Sequence, residues 1–292
     1  MDREVSKKEM CRNLIEELNV SGEIKETLYR IERVASSDNS IMKSSVKDLF
    51  IISPSCKELS RISKCYERII TVNSVYSSRG SRTYLELAFP ASGKDKDYRE
   101  FFASPGLMAA TQNYFTGVFL ISFEQYKGAN ELIRDEVFND LIKFINNNKT
   151  HISFVFHVTP DFRDAKVLYK ELQRYTNICS LEHSFPDKDL AVAFVETQLK
   201  KAGIEFSAAG KKEIKKLVEE KIDTSSSSYQ GYQTLEKLAA NLQFELYAST
   251  VQHELKTDTS SYTVGKEDVK MISSSIEIPD ESSPYQRKLG FN

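Results

Sequence analysis

The chain has 292 residues, 40% hydrophobic and 28% charged, with a formal net charge of −2. These are ordinary globular proportions for one large or two modest domains, and the near-neutral balance removes any global electrostatic case for nucleic acid or an anionic membrane. The longest apolar runs are strand-sized, too short for a bilayer span, and residues 1–20 are too charged for a signal peptide, so a cytoplasmic protein is expected.

Residues 1–45 read as a helical leading segment. Met10, Leu14, Ile15 and Leu18 mark one helix, and Ile24, Leu28, Ile31 and Val34 mark a second after Ser21-Gly22, before a polar break at 36–45. An α/β domain is expected over 46–186. Its first strand, Val46–Ile52, runs into Ser53-Pro54-Ser55. A short helix is predicted around Leu59, Ile62 and Tyr66, a strand over Ile69–Val75, and a half-exposed strand over Thr83–Phe89. Residues 91–97 read as a loop and 98–116 as a helix. The aromatic run around Tyr98–Phe102 and Tyr114–Phe115 is assigned to packing, because no basic residues interleave it.

The centre of the domain is Gly117–Tyr126, GVFLISFEQY. Its four apolar residues Val118 to Ile121 predict a strand buried on both faces. Glu124 stands at the carboxyl end, where open α/β sheets bind ligands. A helix carrying Leu132, Ile133, Val137, Phe138, Leu141, Ile142 and Ile145 follows, then a second buried strand at Ile152–Val158. Strand, helix and strand predict a crossover with the two strands parallel. Val167–Tyr175 reads as helix and Ile178–Phe185 as strand.

From residue 187 the composition changes to a small helical bundle, expected over 187–275. Asp187 caps its first helix, Gly203 ends it, and Ser207 caps the next. A long helix through Leu235, Leu238 and Leu242 and a last short one after Thr263-Val264 complete it. Residues 276–292 are a tail, expected to be a disordered end, with a short motif that inserts Leu289 and Phe291 into a partner as the alternative. The cysteines (Cys11, Cys56, Cys65, Cys179) have no CxxC spacing, and the histidines (His151, His157, His183, His253) have no metal-ligand spacing. Reduced thiols and no metal are therefore expected.

A parallel sheet followed by a helical lid, with an acid after an apolar strand, resembles the AAA+ nucleoside triphosphatases over residues 20–272. Within them the pattern looks like the red-type Rubisco activases and stage V sporulation protein K. In that family a strand ending Gly-Val-Leu-Phe-Ile-Asp-Glu-Ala-Tyr carries a metal-binding Asp and a catalytic Glu. GVFLISFEQY matches it with one inserted residue, placing Glu124 and Tyr126 on the Glu and Tyr. The run PDFRDAKVLYKELQRYTNICSLEHSFPD is similar to the family's passage from the sensor strand to the strand before the lid, and LNVSGEIKETLYRI at 18–31 to its leading helix. By this resemblance Arg174 falls where the family places an arginine finger.

The nucleotide apparatus departs from that pattern in several places. A phosphate cradle requires GxxxxGK[ST], whereas Ser53, Pro54, Ser55, Cys56 and Lys57 offer no glycine and no GK[ST], and Glu58 adds negative charge. Lys57 reads as a surface lysine. The metal Asp position holds Phe123 in the inserted alignment or Ser122 without it, and the lid helix starts Gly231-Tyr232-Gln233-Thr234 without a sensor arginine. The resemblance therefore implies a catalytically inactive AAA+-like protein with no cofactor, and with a protein partner, either an active AAA+ paralogue or further copies of itself. Neither nucleic acid nor membrane is expected as a partner. An active ATPase using ATP and magnesium through an atypical loop is the alternative, with Glu124 and Arg174 as its catalytic candidates. A clamp-loader-like DNA replication subunit ranks below both, because too few residues remain after the lid for a collar domain.

Overall fold

The computed structural model describes residues 6–76, 81–90, 101, 107, 115–226, 228–252 and 262–276. The expected loop at 91–97, most of the expected helix at 98–116 and the tail with Leu289 and Phe291 lie outside the described residues. The chain divides into two compact units, the first ending at Ser184 and the second beginning at Phe185.

The first unit opens with α1 (Lys7–Glu16), α2 (Gly22–Ala35) and α3 (Ser40–Lys43). Ser6 and Ser21 cap the first two by accepting from the peptide N–H groups of Glu9 and Ile24. The short α3 occupies the stretch expected as a polar break, its start capped by Asn39. Strand β1 (Asp48–Ile52) then leads into α4 (Lys57–Val72).

Here the structure corrects the sequence reading. Ile69–Val72 is no strand but the last turn of α4. Leu59, Ile62, Tyr66, Ile69 and Ile70 are all buried on one continuous helical face. Their three- and four-residue spacing outweighs the β-branched character of the run.

Strands β2 (Ser81–Ala88), β3 (Phe115–Ser122), β4 (Ile152–Val158) and β5 (Ile178–Glu182) join β1 in one sheet, order β2-β3-β4-β1-β5, with every pairing parallel. The expected α/β fold with a parallel sheet and flanking helices is thus present. The predicted helix after β3 is two helices, α5 (Ala129–Arg134) and α6 (Glu136–Asn148). Asp135, with extended backbone, breaks them apart, and its side-chain carboxylate caps α6 by accepting from the N–H of Val137 at 3.1 Å. Helix α7 (Ala165–Leu172) connects β4 to β5.

The sheet's core is built on aromatic rings. Phe119 stacks on Phe144 at 6.0 Å, Phe154 on Phe156 at 5.8 Å and Phe123 on Phe156 at 6.3 Å between ring centroids. Leu132, Val137, Phe138, Leu141 and Ile145 close over them from α5 and α6.

The second unit consists of α8 (Lys188–Lys201), β6 (Ile204–Phe206), α9 (Ala208–Lys221), α10 (Tyr232–Gln252), β7 (Tyr262–Val264) and α11 (Lys266–Ile272). Asp187 and Ser207 cap α8 and α9 as expected, and Gly203, at φ +81°, turns the chain out of α8 in the left-handed region. Sequence reasoning missed β6, which pairs in parallel with β7. That pairing runs so close to α9 that a Cβ on Gly210 would lie 2.3 Å from the Val264 carbonyl oxygen. Among the described residues no helix is long and apolar enough to cross a membrane.

Candidate functional site

Parallel strands bring their carboxyl ends to one edge of the sheet, and β1, β3, β4 and β5 each contribute a polar residue there. His157, fully buried, is the hub. Its Nε2 lies 2.8 Å from the Ser53 carbonyl oxygen. A carbonyl only accepts, so Nε2 carries the proton and Nδ1 is an acceptor. The hydroxyl of Ser122 donates to that Nδ1 at 2.8 Å. The network ties the residue after β1 to the ends of β4 and β3.

Glu124 follows β3, partly exposed. Its carboxylate accepts a hydrogen bond from the Ser55 hydroxyl, and its Oε1 lies 3.7 Å from His157 Nδ1. The acid singled out in the sequence therefore spans from β3 to the β1–α4 turn. Phe123 points the other way. It is fully buried, edge-on to Phe89 at 5.2 Å. Of the two residues that the resemblance sets at the metal Asp position, Ser122 donates to His157 and Phe123 is a ring of the sheet core.

The turn into α4 is the second half of this edge. Ser53 and Cys56 are buried, Pro54 and Ser55 half-buried, and Lys57 is exposed at the first helical position. Glu58 sits in the first turn of α4 with 1% exposure, and the Arg61 guanidinium approaches its Oε1 at 3.6 Å. Beside it, burial and the neighbouring Glu58 push the Cys56 thiol up to about 12. His183, immediately after β5, has its N–H on the Ile52 carbonyl at 2.9 Å. Burial pushes its imidazole down to about 4, so the ring is neutral at neutral pH. Cys56, Glu58 and His183 thereby gather their side-chain donors. Sequence spacing could not reveal this group, because its members come from two segments, distant in the chain, that the β1–β5 pairing brings together.

Arg174 lies at the opposite end of the sheet, in the turn between α7 and β5. It is exposed and paired with Glu171 at 2.7 Å. Since Asp48 pairs with Ile178 while Ile52 pairs with Glu182, the residues before β5 are far from the β1–α4 turn of the same unit. Glu124 and Arg174 are therefore not brought together. Arg174 lines a cleft of about 990 Å³ that also exposes Lys43, Lys47 and Lys149. Two of those lysines are already held, Lys43 on the Asn73 carbonyl at 2.8 Å and Lys149 on the Asn146 side chain at 3.0 Å.

No family model matches the sequence, and no curated protein matches it. Among solved structures, the chain is similar to a variant of RuvB from Thermotoga maritima, at 11% identity and a TM-score of 0.49, covering 93% of this chain and 74% of that one. It is similar to the RuvB Holliday junction branch migration motor of the same organism at 12% identity and a TM-score of 0.45, covering 91% and 73%. It is also similar to domain III of the Thermotoga maritima replication initiation protein DnaA at 10% identity and a TM-score of 0.46, covering 89% and 95%.

Proposed function

We propose that the chain is a non-hydrolysing member of the AAA+ superfamily, patterned like the red-type Rubisco activases and stage V sporulation protein K, and that it acts as an interaction or scaffold subunit. One observation carries this reading: the β1–α4 turn is filled by its own side chains. A phosphate needs bare backbone N–H groups at a helix N-terminus. Here Cys56 and Glu58 are buried at that terminus, and Ser55 is tied to Glu124. An acid in the first turn takes up the favourable interaction with the helix dipole that a phosphate would make, and repels the phosphate as well. The residues of this turn do not fit ATP and magnesium.

Calorimetric titration of the purified chain with ATP and magnesium is expected to give no specific heat. A dissociation constant in the micromolar range overturns the reading. Hydrolysis above background that is lost in Glu124→Gln establishes the active-ATPase alternative instead.

Arg174 defines how such a subunit would work. AAA+ rings are built from heterologous, head-to-tail interfaces, and an exposed arginine at the end of the sheet opposite to its own β1–α4 turn serves a neighbour's site rather than its own. The partner proposed is an active AAA+ ATPase with an intact GxxxxGK[ST] loop. Mixed with it, this chain is expected to raise the partner's ATPase rate. Arg174→Ala is expected to leave co-assembly unchanged and to remove the stimulation, because a finger contributes in the transition state rather than to binding. Equal stimulation by Arg174→Ala and wild type rules the role out.

A further inference from the structure

We propose that Cys56, Glu58 and His183 form a binding site for one zinc(II) ion, or a chemically similar borderline divalent cation, at the carboxyl end of the sheet. The thiol sulfur, a carboxylate oxygen and an imidazole nitrogen all lie within 4.8 Å of one another. The centre of three atoms so spaced is no more than about 2.8 Å from each (4.8/√3), against about 2.0–2.3 Å in zinc sites. The difference is of the size that side-chain rotation covers.

The fold fixes both halves of the cluster. Cys56 is the N-cap of α4 and Glu58 lies in its first turn, so their side chains start from a rigid helix end. His183 is anchored by its N–H to the carbonyl of Ile52, the last residue of β1. All three residues are buried, at 3%, 1% and 3% exposure. A cation here would link the start of α4 to the end of β5 across β1.

The donor set selects the metal. Calcium and magnesium require oxygen ligands, whereas sulfur, nitrogen and oxygen together suit zinc, with a fourth tetrahedral position left for water. Burial adds a second argument. An acid and a thiol are removed from water here, with the Arg61 guanidinium 3.6 Å from one carboxylate oxygen of Glu58. A dication bound to a thiolate and a carboxylate is locally neutral, which suits a site of low dielectric. On binding, the Cys56 S–H bond breaks, an S–Zn bond forms and one proton passes to the solvent. The site does not depend on the nucleotide reading, since ATP affinity and metal affinity are measured separately.

The test is a cobalt(II) titration of the full chain after dialysis against a chelator. Saturation at one equivalent is expected, with a near-ultraviolet thiolate-to-cobalt charge-transfer band that added zinc abolishes. Cys56→Ser is expected to lose the band, and His183→Ala, which removes a direct ligand, to weaken cobalt binding by at least the roughly 10–100-fold that loss of an outer-shell partner costs. Cys179→Ser, whose thiol lies beside the Asp48 carbonyl at the other end of the sheet, is expected to keep the band. No band in the wild type at excess cobalt overturns the proposal, as does a Cys56→Ser variant that titrates like wild type. Circular dichroism establishes that each variant is folded. Should Cys56→Ser fail to fold, the wild-type and His183→Ala titrations decide.

Discussion

Replacing Phe119 with alanine is expected to destabilise the sheet unit by about 3–5 kcal/mol. Phe119 has no exposure. Its ring stacks on Phe144 from α6 at 6.0 Å and meets Phe154 of β4 edge-on at 6.3 Å. Deleting it removes the transfer free energy of a full aromatic ring and leaves a void that two rigid neighbouring rings cannot fill. Glu124→Ala supplies the contrast, since it removes a partly exposed acid two residues beyond β3 and is expected to change stability by less than about 1 kcal/mol. Chemical denaturation followed by circular dichroism measures both. Equal shifts of the two midpoints would contradict the placement of the strand end.

Asp48→Asn is expected to stabilise the protein at pH 8 and to flatten its stability between pH 4 and pH 8. Asp48 begins β1, almost fully buried. It accepts from the Phe154 peptide N–H at 2.8 Å and from the Thr176 hydroxyl. Burial pushes its carboxyl up to about 7, against the opposing effect of these two hydrogen bonds.

The sign follows from linkage. Below the unfolded value near 3.8 both states are protonated, and between there and about 7 only the folded state holds the proton. Folding takes up a proton across that window, so stability falls as pH rises through it, by about 1.4 kcal/mol per pH unit of separation at most. Above about pH 7 the full penalty of a buried carboxylate is present. Asparagine keeps an acceptor for the Phe154 N–H and donates to the Thr176 hydroxyl without a charge. A variant less stable than wild type at pH 8, with an unchanged pH profile, would show that the hydrogen bonds rather than burial govern Asp48.

How much of this was legible in the sequence depends on the length scale of each signal. The runs Val118–Ile121 and Ile152–Val158 gave β3 and β4 directly, because a strand buried on both faces needs only consecutive apolar residues. The caps Asp187 and Ser207 were readable because a cap acts within three residues. Ile69–Val72 misled, since its residue types favour a strand while its spacing from Leu59 and Ile62 favours a helix. The site was legible only in its local half. The missing glycines of Ser53–Lys57 and the acid at Glu124 could be read from order alone. The His157 network and the joining of Cys56 and Glu58 to His183 depend on parallel pairings between strands distant in sequence, which no local pattern encodes.

The pairing of β6 with β7 has a consequence for how the protein is made. All five strands of the sheet have been synthesised once Glu182 is in place, whereas β6 must wait for residues 262–264 before it has a partner. Such a contact between the near and far ends of a segment is slow to form, because the intervening loop must close first. On the ribosome, where domains form from the amino end as they emerge, the sheet can be complete while the helical unit is still open. The span from Ile204 to Tyr262 is then the interval of synthesis over which β6 has been made and β7 has not.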